Sequence, residues 1–204
     1  MSILQAFREL FRVRTIWIMG ATLLFRVGCL MGVTGYTPLY LRDYLNWKPE
    51  LADGTLSAFY AVSAAVVVPL TFLSDRIGSR RKIMIPALVF AFLGTVLMPV
   101  ADGAFVWILM IAHGMFLDTF MSLTTTLIME SKGVKPEYFG TATGMIFTMG
   151  LIGAVSGPPI GALFTEFSGG APYYFWSVMA FIALMIFTFA KISRPTNKVP
   201  GASL

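Results

Sequence analysis

The amino-acid sequence predicts an all-α integral membrane protein of six transmembrane helices, and three observations predict it. Of the 204 residues, 57% are hydrophobic and only 12% charged, whereas soluble domains carry about 25% charged residues. That shortage leaves too little polar surface for a water-soluble body, and the mean hydropathy of +0.78 agrees. Six stretches are long and apolar enough to cross hydrocarbon, which takes about 20 residues each. Finally, Lys and Arg fall almost entirely on one side of those stretches.

In order, the spans are expected over residues 15–42, 55–74, 83–101, 104–130, 139–166 and 172–191. The first, fourth and fifth exceed the minimum length, which allows tilt or extension past the bilayer. Only Ala101, Asp102 and Gly103 part the third from the fourth, so that pair is expected as a tight helical hairpin. Residues 1–14 differ in kind. Ile3, Phe7, Leu10 and Phe11 repeat at helical spacing with Arg8, Glu9 and Arg12 between them, the pattern of a short amphipathic helix in the membrane interface. A frayed terminus is the alternative. Residues 15–191 then form the transmembrane domain and 192–204 a cytoplasmic tail.

With the amino terminus in the cytoplasm, twelve basic residues fall on that side, including Arg76, Arg80, Arg81 and Lys82. Two, Arg42 and Lys48, fall on the other, and Arg26 stays within the membrane. The positive-inside rule then puts both termini in the cytoplasm. An even number of spans requires the termini to share a side, so the two arguments agree. The expected location is the cell membrane, plasma or inner, with many passes. The net charge of +5 thus describes topology and gives no reason to expect nucleic acid as a partner.

One cysteine, Cys29, and one histidine, His113, exclude an internal disulfide framework, a cysteine-rich metal site and a bis-histidine haem. No metal or other cofactor is expected. The sequence has no Gly-x-Ser-x-Gly elbow and no catalytic carboxylate pair within one helix, so it does not read as an enzyme. Nor does it contain a nucleotide-binding loop, so ATP is not the expected energy source.

Between the second and third spans lies Asp75-Arg76-Ile77-Gly78-Ser79-Arg80-Arg81-Lys82. Gly78 permits a sharp turn, Asp75 sits at a helix end, and the basic cluster suits anionic headgroups and neighbouring carboxylates. This segment resembles the signature of the major facilitator superfamily, a Gly followed four residues later by Asp-Arg-x-Gly-x-Arg-Arg/Lys, with Thr71 in place of the first Gly. The fifth span adds Gly150, Gly153, Gly157, Pro158, Pro159 and Gly161, similar to a glycine-rich element of that family, with Ala162 replacing its last Gly. Gly153 and Gly157 lie one turn apart and permit close helix approach, while the prolines remove backbone bonds and bend the helix. Gly140-Thr141-Ala142-Thr143-Gly144 ahead of it is also familiar from the family.

The resemblance covers nearly the whole chain but only six of the usual twelve helices, and its opening residues look more like the carboxy-terminal half. It implies two inverted three-helix repeats. A faint internal echo accompanies this: Pro69 precedes Asp75 by six residues and Pro159 precedes Glu166 by seven. The resemblance also implies that Asp75, Arg76, Gly78, Arg80 and Arg81 form a loop that locks and releases two six-helix halves during alternating access.

Ionisable groups at bilayer depth are costly and point to function. Arg26 lies eleven residues past Thr15, about 16 Å from the cytoplasmic end. Asp118 lies twelve residues before Glu130, about 18 Å from the same end. Asp118, Ser122 and Thr125 fall on one helical stripe, with Gly114 behind it. In the family the resemblance names, the first and fourth helices of each half line the substrate cavity. Arg26 is therefore expected to attract an anionic substrate, with Asp118 as its partner in the empty state or as a proton site. The alternative is an ion pair that only fixes helix packing. His113 falls off the stripe and reads as a packing residue. Tyr36, with Thr34 and Thr37, is expected either at the outer mouth of the cavity or in an irregular helix end anchored by Tyr40, Tyr44 and Trp47.

These readings converge on a secondary active transporter component for a small solute, an organic anion in the first instance. Its partners are the lipid bilayer and either a second copy of itself or a missing amino-terminal half. The competing reading is a non-transporting assembly partner or a transporter fragment.

Overall fold

A computed structural model describes residues 3–190. All regular structure among them is helical, and six helices are long and apolar enough to cross a membrane. The cytoplasmic tail expected over 192–204, and the basic residues Lys191, Arg194 and Lys198, lie outside the described residues.

The short first helix, α1, covers Ile3–Leu10. It buries Ala6 and Leu10 and exposes Phe7, Arg8 and Glu9. The first span, α2, runs over Arg14–Asp43, and α3 over Pro49–Ile77. The third span, α4, covers Arg81–Leu97 and finishes in a 3-10 turn over Met98–Val100. The fourth is two helices, α5 over Ala104–Gly114 and α6 over Leu117–Met129, parted at Met115 and Phe116. The fifth, α7, covers Phe139–Ala162 and continues as a 3-10 turn over Leu163–Glu166. The sixth, α8, covers Ala171–Phe189.

Two of these differ from the hydropathy reading. Helix α3 starts six residues before the expected 55, because Pro49 and Glu50 form a good first turn: proline loses nothing at a position whose N–H is free, and the acid suits the helix N-terminus. The fourth span is interrupted where one helix was expected. Gly114 presses against the backbone of Phe59 on α3, too close for a Cβ. The chain leaves helical geometry just beyond, with Phe116 at φ −106°, ψ 6°.

Helix α2 is the centre of the bundle and makes its most extensive contact with α7, then with α8. The reason is the absence of side chains. A Cβ on Gly153 would collide with the Leu24 carbonyl, and one on Gly157 would lie 2.6 Å from the Gly28 carbonyl oxygen. Two backbones approach as closely as atoms allow, which is how helices associate where lipid is as apolar as leucine. Helix α3, by contrast, is buried over only 11% of its apolar window and stands at the periphery.

Glycines on α7 therefore divide into two groups. Gly153→Ala or Gly157→Ala is expected to destabilise the purified protein by about 1–3 kcal/mol, the cost of overpacking a tight contact. Gly140→Ala and Gly144→Ala, where a Cβ would meet nothing within 4 Å, should be neutral or stabilising by about 0.5–1 kcal/mol through helix propensity. Thermal unfolding of the four variants in detergent checks the split.

Candidate functional site

Arg26 projects from the middle of α2 and is 3% exposed. Its guanidinium carbon lies 4.2 Å from the centre of the Phe120 ring on α6, and its Nη2 donates to the Phe116 carbonyl at 3.4 Å. Nε and Nη1 are buried with no acceptor among the described residues. A guanidinium carries five N–H donors. Here one weak bond and one aromatic face serve all of them.

Asp118 does not meet Arg26. It stands in the first turn of α6 with its side chain on an exposed face. Ser63 of α3 donates its hydroxyl to Asp118 Oδ2 at 2.7 Å, and the Asp118 N–H donates to the same Ser63 oxygen at 3.0 Å. Ser122 and Thr125 continue the stripe half-buried, and the Thr125 hydroxyl bonds back to the Met121 carbonyl at 3.2 Å. The expected Arg26–Asp118 couple is thus absent from this conformation, although both residues lie at the α5–α6 break. Ser63 carried no sequence signal, being one small residue among the alanines and valines of α3.

Tyr36 is buried, and its hydroxyl donates to the Gly169 carbonyl at 2.9 Å. With Tyr40, Tyr173 and Trp176 it forms an aromatic cluster whose ring centres lie 5.2–6.1 Å apart. The Thr37 and Tyr173 hydroxyls are 3.0 Å apart within it. Helix α2 continues unbroken through Pro38, so the irregular end considered for this region is not found. The single histidine packs in the core, edge-on to the Phe59 ring at 5.7 Å.

At the basic end, Gly78 closes α3 with φ +65°, its N–H returning to the Ser74 and Asp75 carbonyls. Arg80 forms ion pairs with Asp75 and, at 2.9 Å, with Glu130 at the end of α6. Hydrogen bonding to Glu130 is the main reason its pKa stands above the usual arginine value. Arg81 donates to the carbonyls of Phe187, Thr188 and Ala190 at 2.9, 2.8 and 3.1 Å, capping the C-terminus of α8. Arg76 is exposed and joins no ion pair among the described residues. Glu130 and the α8 carbonyls were not singled out from sequence, since both partners lie far along the chain.

In α7, Gly153, Gly157 and Gly161 are all buried, while Pro158 is half-buried and Pro159 exposed. The Trp176 indole donates to the Gly157 carbonyl at 3.0 Å. Among the described residues, no three of His, Cys, Asp and Glu are grouped to hold a metal ion.

A sequence profile described as Major Facilitator Superfamily matches residues 1–133 and, in a second overlapping match, 44–203. A comparison with curated proteins returns no match.

The Arg81 cap is open to test. Arg81→Gln is expected to speed hydrogen–deuterium exchange of the last turn of α8 by about fivefold or more, since carbonyl caps and charge–dipole contacts each contribute about 1 kcal/mol. Exchange at the α2–α7 contact should not change.

Proposed function

The chain belongs to the Major Facilitator Superfamily, and on that premise we propose that it works as a component of a secondary active transporter, carrying a small organic anion by alternating access. The family's members are transporters rather than enzymes. The observation that carries the reading is Arg26, a guanidinium buried at mid-span with Nε and Nη1 unpaired. Buried donors without acceptors are destabilising, and charged ones more so. A carboxylate or phosphate on the solute supplies the missing acceptors in the planar geometry a guanidinium matches best. Binding energy is then greatest where the empty protein is least satisfied.

In this reading Asp118, Ser122 and Thr125 form a separate polar stripe along α6, turned away from Arg26, with the Asp118 carboxylate, held by Ser63, as the coupling site for a proton. Tyr36 and its aromatic neighbours seal the opposite end. Asp75, Arg76, Gly78, Arg80 and Arg81 form the cytoplasmic switch, Arg76 being the member free to reach across to another six-helix unit. Gly153, Gly157, Pro158, Pro159 and Gly161 hold α7 against α2 while the unit moves as a body. Two inverted three-helix repeats, both termini cytoplasmic, complete the arrangement. Six helices supply one wall of such a cavity. The other wall comes from a second copy of this chain or from six further helices of a longer one.

Arg26→Met separates this role from a packing role. The variant is expected to lose uptake of anionic solutes by at least tenfold, since a hydrogen bond to a charged group contributes about 1.5–3 kcal/mol. Its thermal stability should hold or rise, because two unsatisfied buried donors disappear. A variant that is less stable yet transports every solute tried as well as the parent would remove Arg26 from the site.

Oligomeric mass in detergent provides a separate check. A particle containing two chains of 22.4 kDa is the expected result for the self-paired transporter. A stable single chain would instead require a different second wall.

A further inference from the structure

The sequence Gly140-Thr141-Ala142-Thr143-Gly144 opens α7 on the basic end of the bundle. Between it and the α1–α2 corner runs a groove of about 560 Å³, with Phe7, Trp17, Met145 and Met149 along its walls and Gly140 and Gly144 on its floor. Phe7 and Trp17 are 45% and 40% exposed, so the groove is open rather than packed. These two glycines are unlike those deeper in α7. A Cβ at either would meet nothing within 4 Å, so their bareness admits no neighbouring helix of this chain and simply keeps space free. Of the two threonines in the lining, Thr148 donates its hydroxyl to the Gly144 carbonyl at 2.8 Å.

Basic residues neighbour the two aromatic lining residues along the chain. Arg8 follows Phe7 in α1, and Arg12 and Arg14 lead into the turn of α2 that carries Trp17. All three are exposed, and none joins an ion pair among the described residues. The nearby acid Glu9 is occupied by Lys135 at 3.0 Å. The corner itself is fixed: the Trp17 indole donates to the Phe11 carbonyl at 2.8 Å, and the two rings meet edge to face at 4.6 Å.

We propose that this groove is a binding site for an anionic phospholipid, with one acyl chain along the Gly140–Gly144 floor and the headgroup phosphate among Arg8, Arg12 and Arg14. An apolar trough with three unpaired arginines beside it fits a molecule with a hydrocarbon tail and a negative head. A second copy of this chain fits it poorly. A second copy seated here would have to bring acidic groups to three unpaired arginines. Trp17 stands within the first turn of the first span, and tryptophan is enriched at membrane–water interfaces.

The test uses the full chain in phosphatidylcholine nanodiscs titrated with phosphatidylglycerol brominated on its acyl chains. Quenching of Trp17 fluorescence, isolated as the difference from Trp17→Phe, reports occupancy. Brominated phosphatidylglycerol should quench at a mole fraction at least tenfold lower than brominated phosphatidylcholine. Arg12→Gln and Arg14→Gln should each raise that half-point about fivefold, the equivalent of about 1 kcal/mol per arginine near an anionic surface. Gly144→Leu, or Gly140→Leu as a second filling variant, should abolish the selective quenching while leaving the thermal midpoint in place. Equal quenching by the two lipids overturns the site, as does quenching that survives both filling variants. A loss of oligomeric mass on filling the groove would overturn it too, by making this face a protein contact.

Discussion

Backbone contact between α2 and α7 is the constraint around which the bundle is arranged. In hydrocarbon, apolar side chains gain nothing by leaving their surroundings for one another, so helices associate through close atomic contact and hydrogen bonds. Gly28 on α2 and Gly153 and Gly157 on α7 remove the side chains that would hold the two helices apart. Trp176 of α8 then lies against Gly32 and Gly161, too close for a Cβ at either, and bonds to the Gly157 carbonyl. One indole thus joins three helices at the place where two of them are barest. Arg26 lies about 200° around α2 from both Leu24 and Gly28, so it points away from that contact and is buried instead against Phe116 and Phe120 at the start of α6.

The two ends of the bundle are closed by different chemistry. At the basic end, Arg80 ties α3 to α6 through carboxylates, and Arg81 caps α8 through carbonyls. The Arg80 ion pairs are partly exposed contacts between charges, weakened by water and salt. At the other end, Tyr36, Tyr40, Tyr173 and Trp176 pack ring on ring, with neutral hydrogen bonds inside the cluster. Opening that end would expose a large apolar surface and strand several buried hydroxyls. A unit built this way has one end that rearranges at little cost and one that resists, which suits the transport proposed above.

The spans were legible because hydrocarbon imposes length and apolarity on each helix independently of the others. Their exact ends were not, since Pro49 and Glu50 extend α3 by helix chemistry that hydropathy ignores. The break in the fourth span was not legible either. It arises where Gly114 meets Phe59 of another helix, and no local sequence encodes that contact. Arg26 and Asp118 were placed at equal depth by counting residues, but depth leaves rotation about the helix undetermined. Arg26 faces Phe120, and two residues along a helix turn the direction by about 200°. A side chain at 118 therefore points away from the arginine that position 120 faces. The turn at Gly78 and the close-packed glycines of α7 were readable, because glycine leaves few alternatives to the conformations it permits.

The α5–α6 break explains why both charged residues stand where they do. Interrupting a helix inside a membrane frees backbone groups that must find partners within the protein. Here the Asp118 N–H is received by Ser63 from α3, while the Phe116 carbonyl, which already accepts the Phe120 N–H at 3.0 Å, takes a second and weaker bond from Arg26 of α2. The two residues expected to bind each other instead hold adjacent parts of one irregular segment, each working with a different neighbouring helix. Their contacts lie two residues apart on one stretch of backbone, with no ion pair between them. A solute that draws Arg26 away leaves the Phe116 carbonyl less satisfied, and a proton on Asp118 loosens its exchange of hydrogen bonds with Ser63. In the transport proposed above, both events would act on the same three residues of this irregular segment.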